Sequence, residues 1–210
     1  MEKYTKYIEF VKKSFENSFE TSGGKGYRFY HSYKVANLGY KFAKQLKLSE
    51  TEIDIVVLAC LFHDIGKITR IQADGRLFGS HLYEKENNLE RHEDISARMV
   101  KDILKDDYSQ DVINKIASII ADDDQDDILA NILHDSDHIS ELGNMGIVRI
   151  CMYDTKRSIE DIINYHINVD ENKKLEKLAT LKLDISKGFA KTELQKITDF
   201  MINLKKEIGL

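Results

Sequence analysis

Leu58 to Ile68 reads LACLFHDIGKI. His63 and Asp64 arrive directly after a run of apolar side chains that includes Ile53, Ile55, Val56, Val57, Leu58, Leu61 and Phe62. The run is apolar almost all round, which predicts a helix buried at the centre of the molecule. A carboxylate at the end of such a helix is costly unless it is paired or binds a metal. Adjacent residues on a helix point about 100° apart. His63 and Asp64 can therefore reach one ion only from the helix edge, near its end, and Gly66 supplies the break that leaves that side open. A simpler alternative is a helix C-terminus whose His63 and Asp64 face solvent. The dipeptide alone leaves both open.

Helical periodicity extends in both directions. Ser49 and Glu52 match a capping box at the start of the central helix. Upstream, Tyr4, Tyr7, Ile8, Val11 and Phe15 share one face of a first helix, and Val35, Leu38, Phe42 and Leu46 share one face of a second, from about 31 to 46. Downstream, helices are expected at about 90–104, 110–121, 126–142, 158–167, 172–185 and 191–208. The polar, glycine-containing stretch 66–88 reads as a long loop or lid. Ser22-Gly23-Gly24-Lys25-Gly26 reads as a plain loop, because it lacks the spacing of a phosphate-binding P-loop. The acidic run Asp122-Asp123-Asp124-Gln125-Asp126-Asp127 has neither the glycine nor the glutamate of a calcium-binding loop and reads as a solvated helix junction.

Composition narrows the class. The 210 residues suit one domain. Proline is absent, where roughly ten would be expected at ~5% usage, and this suits helices over a proline-punctuated β fold. The expected fold is therefore all-α, a single domain over 1–210 with about eight or nine helices. A net charge of −5, with no basic or aromatic stripe, argues against a nucleic-acid partner. No apolar run approaches the ~20 residues that span a bilayer, and Met1 to Phe10 does not resemble a secretory signal, so no membrane association is expected. Cys60 and Cys151 form no metal or redox pair, which fits a reducing cytoplasm.

Two further stretches bear on His63 and Asp64. His31 stands in YRFYHSYKVANLG, and Asp137 stands in LHDSDHISELG. With these residues in place, the chain resembles the HD-domain superfamily of metal-dependent phosphohydrolases, particularly its small bacterial single-domain members. The family pattern of a first His, then His-Asp, then a distant Asp falls on His31, His63-Asp64 and Asp137. RHEDISARM (91–99) and SDHISELGNMGIVRI (136–150) are similar to further family segments. The likeness is strong only at the motifs, with a core of about 31–150, and weak over the C-terminal helices 158–208.

The resemblance implies one divalent metal held by His31, His63, Asp64 and Asp137. It also implies that a metal-activated water attacks a nucleotide phosphate ester or anhydride, as in a nucleoside triphosphate pyrophosphatase or a nucleotidase. Two imidazoles and two carboxylates suit Mn, Fe, Ni, Co, Mg or Zn without choosing among them, and Mn is the first candidate. Asp135 competes with Asp137 as the last ligand; the pattern of a small residue before it and a basic–apolar pair after it favours Asp137. Asp64 would ligate and orient the water. His92, at the first turn of a helix, would bind phosphate or protonate the leaving oxygen. Lys67 would contact phosphate and contribute to catalysis, with a surface lysine as the alternative. Arg149 would bind phosphate or brace the Asp137 helix. Arg28 and Lys34 flank His31 and are weaker candidates. His81, His134, His138 and His166 are read as non-ligands. The alternatives are a cyclic-nucleotide phosphodiesterase, which calls for two metals, and a non-catalytic nucleotide-binding regulator.

Overall fold

The buried segment around Leu58 forms α3 (Glu50–Phe62), and every residue from Ile55 to Phe62 is buried. Its start is fixed by a capping box: Glu52 N–H donates to Ser49 Oγ, and Ser49 N–H donates to a Glu52 carboxylate oxygen at 2.8 Å. The computed structural model describes residues 1–20, 24–121, 127–154, 156–168, 176 and 178–209. The described residues divide into two compact units, Met1–Ser136 and Asp137–Leu210.

In the first unit, α3 packs against α2 (Tyr27–Gln45) and α6 (Gln110–Ala121). The α2–α3 approach is close because both surfaces are small: a Cβ on Gly39 would lie 2.6 Å from Cys60 Sγ. Cys60 is thus a small core residue, as expected. Helix α1 (Thr5–Phe15) buries Tyr7, Val11 and Phe15. The Tyr7 ring meets Phe62 edge-on at 5.9 Å, and the Tyr7 hydroxyl donates to Asp107. Just before α1, the Tyr4 hydroxyl donates to Asp54 of α3. Burial and these carboxylates push both phenols well above their usual range.

The stretch 66–88 is built rather than looped. It contains a 3₁₀ segment (Ile65–Arg70), a two-residue strand β2 (Arg76–Leu77) and the short helix α4 (His81–Glu86). β2 pairs in parallel with β1 (Phe19–Glu20), a small addition to an otherwise helical fold. Gly66, Lys67, Leu77 and Glu84 are all buried. The loop reading failed because these buried positions alternate with polar ones at no single helical period. Helix α5 (His92–Leu104) packs on α6 and on the 3₁₀ segment, and α7 spans Ile128–Ser140.

In the second unit, α8 (Gly143–Tyr153) is a separate helix that the sequence reading did not list. It packs with α9 (Ile159–Asn168) against the last helix, α10 (Asp184–Glu207). Ile163, Ile197 and Met201 form the centre of this packing. The break expected between 185 and 191 is absent, because α10 runs straight through Gly188. An interior glycine costs only about 1 kcal/mol. Residues 22–23 of the glycine cluster, the acidic run 122–126, and residues 172–175 and 177 of the helix expected at 172–185 lie outside the described residues; of that expected helix, residues 180–183 are not helical. Among the described residues, no helix is long and apolar enough to cross a membrane.

Candidate metal centre

Helix α3 stops at Phe62, and the tighter 3₁₀ turn begins at Ile65, so His63 and Asp64 sit at the junction. His31 comes from the second turn of α2, where the Tyr27 ring stacks on it at 6.2 Å. All three side chains are buried. His31 Nε2 lies 3.2 Å from His63 Nε2, and each lies 3.5 Å from Asp64 Oδ2. Ligand atoms ~2.1 Å from a shared ion, at right to tetrahedral angles, would be about 3.0–3.4 Å apart. The spacing therefore fits three corners of one coordination shell.

Proton accounting points the same way. His63 Nδ1 lies 2.8 Å from the Cys60 carbonyl, which only accepts, so Nδ1 carries the proton. In the neutral ring, Nε2 is then a lone pair aimed at His31 and Asp64. A backbone carbonyl fixing the tautomer of a histidine in this way is typical of metal ligands.

Two cations share the same carboxylate. Arg28 Nη1 is 2.6 Å from Asp64 Oδ2, and Lys67 Nζ is 2.7 Å from Asp64 Oδ1. Lys67 is buried, so the surface-lysine alternative is ruled out. Arg28 was ranked low in the sequence; its signal was the i, i+3 spacing to His31, which puts both on one face of α2. Burial by itself raises the Asp64 pKa. Lys67, His63 and Arg28, together with a hydrogen bond from His92, outweigh it and hold the carboxyl well below its usual range. Asp64 is thus an anion, as a ligand must be.

His92 is also buried, with Nε2 3.2 Å from Asp64 Oδ1. The anion at the start of α5 is a protein side chain: Glu84 Oε1 accepts from the His92 backbone N–H at 3.1 Å. The two Glu84 oxygens also lie 3.0 and 3.1 Å from His92 Nδ1. Glu93 Oε1 is 3.2 Å from both His92 Nε2 and His81 Nε2. His81, Glu84, His92 and Glu93 therefore form a second cluster with metal-ligand spacing. His81, read from the sequence as a non-ligand, stands in this cluster. Glu84 and Glu93 were missed as well, although Ser80 capping His81-Leu82-Tyr83-Glu84 carried a helix-start signal.

The 3₁₀ segment meets α5 closely. A Cβ on Gly66 would lie 2.3 Å from the His92 carbonyl oxygen, and the Gly66 N–H donates to Ser96 Oγ at 2.8 Å. Only glycine lets the Asp64 turn rest against the start of α5.

The remaining expected residues come from α7 and α8. Asp135 is fully buried, with Oδ1 3.0 Å from His134 Nδ1. Asp137 is on α7, in the second unit, where its carbonyl accepts from Ser140 Oγ. Arg149, on α8, forms an ion pair with Glu141.

The model of the HD domain family matches residues 28–142. The chain belongs to the HD domain family, the class of metal-dependent phosphohydrolases that its motifs led us to expect. Three solved structures show the same fold. An HD-superfamily hydrolase from Bacillus thuringiensis is 21% identical with a TM-score of 0.62, covering 99% of this chain and 97% of that one. YpgQ of Bacillus subtilis in complex with ADP is 14% identical with a TM-score of 0.63, covering 98% and 95%. A predicted HD-superfamily hydrolase from an uncultured Thermotogales bacterium is 13% identical with a TM-score of 0.63, covering 97% and 91%. No curated protein sequence matches the chain.

Proposed function

We propose that the chain hydrolyses a phosphate ester or anhydride of a nucleotide at the His31, His63 and Asp64 centre. The observation that carries this is the placement of three metal-ligand atoms 3.2–3.5 Å apart beside two buried cations on the same carboxylate. With a divalent ion added, the ion, Arg28 and Lys67 outweigh the Asp64, Glu84 and Glu93 carboxylates, which favours a phosphate-bearing anion. The ADP bound to YpgQ supports a nucleotide.

When bound, the metal supplies a lowered pKa for a water and polarises the phosphoryl oxygen. Asp64 orients that water. Lys67 draws phosphate charge to the same point. His92, held through Nδ1 by Glu84, faces the reacting region through Nε2 and serves the leaving oxygen. Asp137 as fourth ligand and Arg149 as a phosphate contact rest on the sequence pattern. A cytoplasmic location rests on cysteine usage.

A second reading, cyclic-nucleotide phosphodiesterase, is favoured by one observation: the second His–Glu cluster next to Asp64. The test is product analysis on nucleoside mono-, di- and triphosphates and cyclic nucleotides with Mn²⁺, then Fe²⁺, Ni²⁺, Co²⁺, Mg²⁺ and Zn²⁺. Pyrophosphate or orthophosphate release identifies the bond and supports the first reading. Ring opening alone supports the second. Saturable binding without turnover under every metal overturns both and leaves a regulator.

A further inference from the structure

Lys67 stands where a lysine is costly to keep. It is 8% exposed, and its ammonium lies 2.7 Å from Asp64 Oδ1. A buried lysine stem loses rotamer freedom, and the side chain ordinarily snorkels to water unless its path is closed. The turn itself does half of this. In 3₁₀ geometry residue i+3 eclipses residue i, and the Lys67 N–H donates to the Asp64 carbonyl at 3.0 Å, so the stem starts above Asp64. The other half comes from the connection between β2 and α4. The Phe78 N–H donates to the Arg70 carbonyl at 3.4 Å, and Ser80 Oγ accepts from the Tyr83 N–H at 3.2 Å. Between these two anchors, Gly79 is buried against the lysine stem. A Cβ at that position would lie 2.9 Å from Lys67 Cδ and 3.0 Å from Lys67 Cγ. Gly79 does not take a positive φ, so the need for glycine there is one of space.

We propose that Gly79 is a positioning residue for the reaction. Its missing side chain lets the 78–80 connection close over the Lys67 stem and hold the ammonium on Asp64 Oδ1, where phosphate charge is met. The role in the reaction rests on the reading of Lys67 as a phosphate contact; the packing on the stem does not. One stretch of chain thus sets both groups that meet Asp64 Oδ1: Lys67 through Gly79, and His92 through Glu84. A methyl group at position 79 would push the stem aside or lift the connection, and either moves the ammonium off the oxygen. His31 and His63 are untouched by that movement, since they come from α2 and the end of α3.

The test joins lysine labelling to a double-mutant cycle, both on the full chain. Acetic anhydride labelling, read by peptide mass spectrometry, should find Lys67 slow in wild type beside the exposed Lys85, and close to the Lys85 rate in Gly79→Ala. Gly79→Ala should lower kcat/KM by ~10–100-fold, as a misplacement of about 1 Å does. In a Lys67→Met background the same substitution should cost nothing further, whereas a merely structural role would cost the same in both backgrounds. If Gly79→Ala does not fold, adding Lys67→Ala makes room for the methyl group and should restore folding. Lys67 labelled as fast as Lys85 in wild type, unchanged labelling in Gly79→Ala, unchanged turnover despite faster labelling, equal losses in both backgrounds, or no restoration by Lys67→Ala would each overturn the proposal. A wild type that turns over no nucleotide, yet protects Lys67 only while residue 79 is glycine, would remove the proposed function and leave the positioning of Lys67 standing.

Discussion

The two histidine–carboxylate clusters share Asp64 but are built differently. His31, His63 and Asp64 come from α2 and the end of α3, and all are buried. His81, Glu84, His92 and Glu93 come from one short stretch, with His81 exposed and Glu93 half-buried. In the first, ligand positions are inherited from a packed helix pair. In the second, they depend on a six-residue helix and one turn of α5. Rigid helices hold ligand geometry better than short segments do. The first cluster should therefore hold an ion in the more rigid geometry.

Substitutions that separate the clusters give the largest expected effect. His63→Ala should weaken Mn²⁺ binding at the first cluster by more than ~100-fold, since losing even a supporting partner costs 10–100-fold. His81→Ala should leave that affinity within about tenfold. Isothermal titration of both variants checks the difference, and equal losses would break the comparison. Next in size is metal removal. An ion at 100 times its Kd stabilises the fold by about 2.7 kcal/mol. Chelation should lower the Tm of wild type clearly and that of His63→Ala much less.

Gly66→Ala tests the contact between the clusters. Its methyl group would press on the His92 carbonyl, and overpacking of this kind costs about 1–3 kcal/mol. Thermal unfolding measures the loss. The smallest effect belongs to Ser49→Ala, at the far end of α3. Removing the capping box should cost about 1 kcal/mol and leave turnover unchanged. A loss of activity there would mean that α3 does not hold His63 rigidly.

The same contrast explains what the sequence made legible. His63 and Asp64 stood out because a histidine and a carboxylate followed the unbroken apolar run from Ile55 to Phe62, where polar groups need partners. Ser49 and Glu52 were readable because a capping box is a local pattern. Glu84 and His81 were not, because their role depends on the 3₁₀ segment and α4 folding back so that Glu84 reaches His92. Lys67 was readable as a candidate but not as a buried partner of Asp64, since a lysine three residues on looks the same on a surface turn. In α10, which packs on α8 and α9, the helix runs through Gly188 between the bounds expected from the sequence.

The most direct test of the central claim is phosphate or pyrophosphate release by wild type and Asp64→Asn, each measured after chelation and again with Mn²⁺ restored. Wild-type turnover should vanish on chelation and return with the metal, while Asp64→Asn stays inactive throughout. A chelated wild type that keeps its rate, or an Asp64→Asn variant that matches wild type, would contradict a metal-dependent reaction at His31, His63 and Asp64.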